Sequence, residues 1–126
     1  MPFEVHWEPP RGAYKKFTGH LDDEQLVRSV TALHGDPRFD DLRYVINDFL
    51  EVLSYSITDD TIMYIAALDG AAARSNPGIR VALVISEAHE KALAARYAAS
   101  PLNGYPTRIF NDVQEARAWA VQPSSP

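Results

Sequence analysis

Asp48 is the carboxylate of this sequence best placed for chemistry. It follows the apolar run Tyr44-Val45-Ile46 and stands beside Asn47. Open α/β sheets gather ligands beyond the carboxyl ends of their parallel strands. Asn47, Asp48, Ser56, Thr58 and Ser86 are all expected at that end. Together they mix donors, acceptors and one charge beside a helix N-terminus, a candidate ligand- or partner-binding site. The competing reading is that Asn47 and Asp48 only tie down a loop over 50–58 through hydrogen bonds. Three acidic pairs, Asp22-Asp23, Asp40-Asp41 and Asp59-Asp60, have the composition of acid–base or magnesium sites. The first and third, however, fall at expected helix starts, where aspartate answers exposed N–H groups, and the second reads as a solvated turn. Histidines stand at 6, 20, 34 and 89 with no pair at i, i+4 and no His-Glu-x-x-His run, so no metal site is expected. His6 is expected on the outer face of the first strand and His34 in the last turn of a helix, where a cation is welcome. His20 is expected in a turn between strand and helix. Asp48 with His20 is the one acid–base pair an enzyme reading offers, and nothing in the sequence brings the two together.

What is missing narrows the function further. There is no Gly-x-Ser-x-Gly elbow, no Gly-x-Gly-x-x-Gly loop and no P-loop. No cysteine occurs, which excludes disulfides, thiolate zinc sites, iron–sulfur clusters and cysteine nucleophiles. Twelve basic against 17 acidic residues give a net charge of −5, which disfavours a phosphate backbone as partner. No nucleic acid, no cofactor, no metal and no catalytic residue are therefore expected. No apolar run approaches the roughly 18 residues of a membrane span. Met1 to His6 lacks the basic and apolar regions of a signal peptide, so the expected location is the cytoplasm. The 126 residues, 46% hydrophobic and 23% charged, suit one folded domain over 1–121 with a disordered tail over 122–126.

The elements that must position these residues can be read from periodicity. Phe3, Val5 and Trp7 alternate with Glu4, His6 and Glu8, the pattern of a half-buried strand. Pro9 to Gly12 supplies a turn, and Ala13 to Thr18 a second, antiparallel strand whose Lys15 and Lys16 would guard a sheet edge. Asp22-x-x-Gln25 is a capping box opening a helix with Leu26, Val30 and Leu33 inward. His34-Gly35-Asp36-Pro37 stops it. Leu42 to Phe49 is a strand and Leu50 to Ser56 an irregular segment. Thr58 caps a helix with an acidic first turn and an apolar face of Ile62, Ile65, Ala66, Leu68 and Ala72. Gly70 within it implies close packing or a break. Ile79 to Ile85 is a buried central strand, and Ser86 caps a third helix with Glu87 and Glu90 early. Thr107 to Phe110 is a short strand, and Asn111-x-x-Gln114 caps a last helix. The order β-β-α-β-α-β-α-β-α predicts an α/β fold with a mixed sheet, hairpin first and parallel strands after.

That order, with Gly19-His20-Leu21, His34 to Phe39, Tyr44 to Phe49, Ser100 to Phe110 and the closing Glu115 to Trp119, resembles the STAS domains, the fold of anti-sigma-factor antagonists. The chain is most similar to their SpoIIAA-like branch of small bacterial proteins, over roughly residues 3–121. The resemblance implies a STAS/SpoIIAA-like mixed sheet packed with about four helices. It also implies a non-catalytic regulatory module acting through a protein partner or through self-association as a homodimer. An exposed hairpin edge and the alanine-rich stretch from Ala66 to Ala73 offer surfaces for such contact. STAS antagonists carry Asp-Ser-Ser-Gly at the start of the second helix, where a kinase that is also the anti-sigma factor phosphorylates a serine. Here the slot reads Ser56-Ile57-Thr58-Asp59, and only Thr58 falls on the phosphoacceptor position. Asp59 and Asp60 already occupy that positive helix end and would repel a phosphate of about −1.5 to −2 charges. The resemblance also leaves room for a cavity between helices and sheet that takes a small apolar or anionic ligand such as a lipid or acyl group. Tyr55, Met63, Tyr64, Tyr97 and Tyr105 are the candidates to line it, unless they are ordinary core and surface aromatics.

Overall fold

A computed structural model describes residues 3–86 and 88–122. Strand β1 (Phe3–Glu8) turns through a cis Pro9–Pro10 peptide into β2 (Gly12–Asp22). Helix α1 (Asp23–His34) follows, then a 3-10 helix (Pro37–Asp41) and β3 (Tyr44–Ser56). Next come α2 (Asp59–Ala72), β4 (Arg80–Val84), α3 (Ala88–Ala99), β5 (Thr107–Phe110) and α4 (Val113–Ala120). The order is the expected one. The five strands lie in sequence order β1-β2-β3-β4-β5, with β1 antiparallel to β2 and every other pair parallel.

Strand alternation sends side chains to two cores. On one face Ala13, Val45, Val81 and Leu83 meet Val30 and Leu33 of α1, Ile62, Ile65 and Ala66 of α2, and Leu93, Ala94 and Tyr97 of α3. On the other, Ile46, Ala82 and Val84 meet Ala116 and Ala120 of α4, flanked by Tyr14, Tyr44 and Trp119. Helix ends are capped largely as the sequence indicates. Asp22 and Gln25 form the full capping box, and Thr58 accepts from the Thr61 N–H. Gly70 is a close approach: a Cβ there would lie 2.0 Å from the Leu102 carbonyl oxygen. No helix of the described residues is long and apolar enough to cross a membrane.

Four expectations are corrected. Leu50 to Ser56 is not irregular but the second half of β3, paired with β2 as far as Asp22↔Ser56. Register shifts lie opposite Lys16/Thr18 and Gly19/His20, each adding a residue to β3, and Gly19 takes φ +70° beside the second. Each bulge flips the parity of the strand. The half-buried residues therefore fall at Phe49, Val52 and Tyr55, three apart. A period of two cannot be read from such a segment. His20 accordingly lies within β2, not in a turn. Lys15 does not guard an edge: β2 has neighbours on both sides, β1 is the edge, and Lys15 points into the first core. The cap of α4 is Asp112, one residue later than expected, its carboxylate accepting from the N–H groups of Gln114 and Glu115. The expectations about Glu87, the Glu90 side chain and residues 123–126 fall outside the described residues; Gln122 is described, and its carbonyl accepts from Arg80 at 2.8 Å.

Candidate functional site

A cavity of about 110 Å³ lies between the sheet and α1, α2 and α3. Its wall is mainly aliphatic, with Leu21, Val45, Val81, Ile62, Ile65 and Leu93 among the residues that form it. The wall reaches the surface at Leu26, Phe49, Tyr55 and Ile57, all only half-buried. Of the five residues expected to line a pocket, Tyr55, Tyr97 and Tyr105 line this cavity. Met63 and Tyr64 do not, because they stand on the exposed side of α2.

Polar groups interrupt this wall at few points. Lys15 is the most unusual. The alternation Ala13, Lys15, Phe17 carries it inward, and it is only 4% exposed. Its Nζ lies 3.4 Å from Ser29 Oγ and 3.5 Å from the Ser29 carbonyl oxygen, both long for hydrogen bonds. Among the described residues no carboxylate stands within ion-pair distance of it. Burial lowers its pKa to about 8, and the charge of Asp69 offsets only part of that. Asp69 itself is buried on α2. One of its oxygens lies 3.0 Å from His34 Nε2, and the other accepts from the Tyr97 hydroxyl. The Tyr105 hydroxyl is buried and has no hydrogen-bond partner among the described residues. Burial first, then the Asp69 charge, pushes the phenols of Tyr97 and Tyr105 well above their ordinary range. Asn47 also lines the cavity, its amide donating to the Ala82 carbonyl at 3.4 Å. A ligand inside would thus meet a mainly apolar wall, one ammonium and one phenol hydroxyl able to donate, and the Asn47, His34 and Asp69 groups already engaged with one another or with the backbone.

Sequence reasoning missed Lys15, Asp69 and the pairing of His34. The signals were present. In a strand with one buried face, two adjacent lysines cannot both face solvent. Ile62, Ile65, Ala66 and Asp69 share the i, i+3, i+4, i+7 spacing of a single helix face.

The five polar residues expected at one strand end are spread out instead. Asn47 faces the cavity while Asp48 faces the opposite side of the sheet, since neighbours on a strand alternate. Asp48 accepts from the Tyr14 hydroxyl and, at 2.9 Å, from the Leu50 N–H inside the first bulge. Ser56 lies at the far end of β3, roughly 25 Å farther at the rise of an extended chain. Thr58 lies just beyond it, where Asp23 of α1 accepts from its N–H and its hydroxyl, each at 2.9 Å. Ser86 is exposed beyond β4. His20 bonds Ser54 at 2.7 Å, not Asp48. Strand order explains why no crevice gathers them. A ligand cleft at strand ends needs a reversal in strand order, with helices diverging to opposite faces. Here β2 to β5 run in one direction of order, and α1, α2 and α3 all cover the same face.

A second polar cluster sits on the α4 side. Glu8 of β1 accepts from Tyr44 at 2.6 Å and pairs with Arg117 of α4 at 2.5 Å. Burial alone would raise the Glu8 pKa, but the hydrogen bonds from Arg117 and Tyr44 outweigh it and hold the carboxyl below its usual value.

The comparisons with known proteins agree on the fold. No family model and no curated protein sequence matches the chain. Among solved structures it is similar to the anti-sigma factor antagonist SpoIIAA in its unphosphorylated form, at 11% identity and a TM-score of 0.63, covering 93% of this chain and 96% of that one. It is similar to the Bacillus cell fate determinant SpoIIAA in the phosphorylated form at 8% identity and a TM-score of 0.60, covering 93% and 98%. A protein of the DUF3478 family with a SpoIIAA-like fold from Shewanella loihica PV-4 gives 16% and 0.52, covering 94% and 91%. The chain therefore has a SpoIIAA-like fold, the α/β mixed-sheet architecture expected from its sequence. At these identities the likeness is one of fold alone.

Proposed function

We propose that this protein is a non-catalytic regulatory module that works through protein–protein contact, with a second copy of itself as the first candidate partner. The observation that carries the reading is the free stretch of β3. β4 pairs with β3 only as far as Asp48↔Val84. From Phe49 to Ser56, β3 has β2 on one side and no strand among the described residues on the other. Leu53, 87% exposed, and Leu50 stand on this stretch. An open strand edge with exposed leucines is a template for another strand. The SpoIIAA-like fold supports the regulatory reading, since one solved relative in fold is an anti-sigma factor antagonist. Sedimentation velocity over a concentration series tests it, with Leu53→Lys as control. The wild type should form a dimer and the variant a monomer that melts like the wild type at concentrations too dilute for dimerisation. A wild type that stays monomeric at high micromolar concentration, or a variant that still dimerises, rejects self-association through this edge.

Thr58 serves this module as a helix cap rather than as a phosphoacceptor. Asp23 holds its N–H and hydroxyl, and Asp59 and Asp60 follow in the first turn. A phosphate would meet three carboxylates where SpoIIAA-type regulation needs a receptive helix end. Incubation with candidate kinases followed by mass spectrometry should leave Thr58 and Ser56 unmodified.

The cavity favours a second reading, in which the module also holds a small apolar ligand. Its volume of about 110 Å³ lies below the ~150 Å³ at which an apolar protein cavity admits benzene, so a fitting ligand is no larger than benzene. Native mass spectrometry after gentle purification should then show a small adduct, and an empty chain would count against it.

A further inference from the structure

We propose that the cavity selects a short apolar carboxylic acid of about four carbons, which has no more non-hydrogen atoms than benzene, its tail among the aliphatic wall and its carboxylate held by Lys15 Nζ and the Tyr105 hydroxyl. This rests on the ligand reading just given and names the ligand's chemistry.

Two independent observations lead to it. An ammonium buried in an aliphatic cavity without a carboxylate partner is costly to keep. Three N–H donors are available there, and among the described residues they meet only the long contacts to Ser29 and, at 5.8 Å, the face of the Phe17 ring. The second observation is the Tyr105 hydroxyl, a buried donor with no hydrogen-bond partner among the described residues. Buried polar groups in folded proteins are nearly always satisfied, so an orphan of this kind calls for a missing partner. Both groups line the same cavity, and both can donate. A hydrogen-bond acceptor is what they lack, and a negatively charged one also neutralises the ammonium. Asp69 does not fill that role. Its two oxygens are taken by His34 and Tyr97. Beyond these groups and the engaged side chains of His34, Asn47, Asp69 and Tyr97, the wall is mostly aliphatic, which suits an alkyl chain better than a sugar or a nucleotide. The depressed pKa of Lys15 agrees with this picture, because at about 8 the side chain is still mostly charged near neutrality.

Isothermal titration calorimetry with butanoate and with 1-butanol tests the inference, alongside two variants. Butanoate should bind the wild type about tenfold or more tightly than 1-butanol, the size of effect one charged hydrogen bond gives. Lys15→Met should weaken butanoate by at least about tenfold and leave 1-butanol within about twofold. Tyr105→Phe, which removes only the orphan hydroxyl, should weaken butanoate by a smaller factor. The methyl resonances of Ile62, Ile65 and Ile79 should shift on binding, which locates the ligand. If both compounds bind alike and Lys15→Met does not separate them, the carboxylate inference fails while the ligand reading stands. If neither binds nor moves those methyls, both fail.

Discussion

Lys15 sets the sharpest expectation at the scale of a single residue. Its pKa falls from an ordinary value near 10.5 to about 8 in the folded protein. A lysine whose folded pKa is depressed penalises folding while it is protonated in both states. The unfolded chain then binds more protons between pH 8 and pH 10.5, so stability should rise with pH across that window. The whole penalty is present below pH 8, on the order of 3 kcal/mol by the free energy of a pKa shift. Lys15→Met keeps much of the volume and removes the charge. It should stabilise the protein at pH 7 by up to that amount and abolish the rise, as urea midpoints at pH 7 and 10 would show. A variant no more stable than the wild type would mean that the ammonium is better solvated than its surroundings indicate. Thr58 gives a smaller effect of opposite sign. Thr58→Ala removes a helix cap and the hydroxyl that Asp23 accepts from. It should cost about 1 kcal/mol in a chemical melt. The capping role was legible, because Thr-Asp-Asp before an apolar-periodic run is a helix start. The buried role of Lys15 was legible only in retrospect, from its alternation with Ala13 and Phe17.

Between elements, two contacts decide how helices sit on the sheet. Gly70 lets the Leu102 carbonyl touch the α2 backbone. Gly70→Ala would ordinarily improve a helix by about 1 kcal/mol. Here the Cβ meets a backbone oxygen at 2.0 Å, which no rotamer relieves. The variant should lose about 1–3 kcal/mol instead, measured by denaturant unfolding. Glu8 ties β1 to β3 and α4 through Tyr44 and Arg117. Its folded pKa is lowered, so its contribution is present above the unfolded value and is lost as pH falls through the folded one. Glu8→Gln should cost about 1–2 kcal/mol at pH 7 and flatten the acid limb of the stability profile below pH 5. The half of β3 beyond Asp48 was the element the sequence concealed. Two bulges turn its period from two into three, and no helix-like or strand-like pattern survives that change.

Across the whole molecule, acidity turns out to be local. Asp22, Asp36 and Asp112 each cap a helix, and Asp59 and Asp60 fill the first turn of α2. The net charge of −5 therefore speaks less of a partner than of helix termini. Binding a carboxylic acid should also be visible in the global stability. Any ligand specific to the folded state raises its stability as concentration exceeds the dissociation constant, by about 2.7 kcal/mol at a hundredfold excess. Butanoate should raise the melting temperature of the wild type and leave that of Lys15→Met nearly unchanged.

The sequence by itself determined the element order, the mixed sheet and most caps, because these depend on neighbours within a few residues. Periodicity and capping are local, and they can be read locally. The tertiary structure alone decided which polar residues share a space. Strands stacked in sequence order with three helices on one face opened no cleft at their ends, so Asn47, Asp48, Ser56, Thr58 and Ser86 were dispersed. The same packing drew Lys15, Asp69, His34, Tyr97 and Tyr105 from four elements and one loop into one interior. Those residues are up to 90 positions apart in the chain. No spacing rule reaches that far; only the closing of helices over a sheet does.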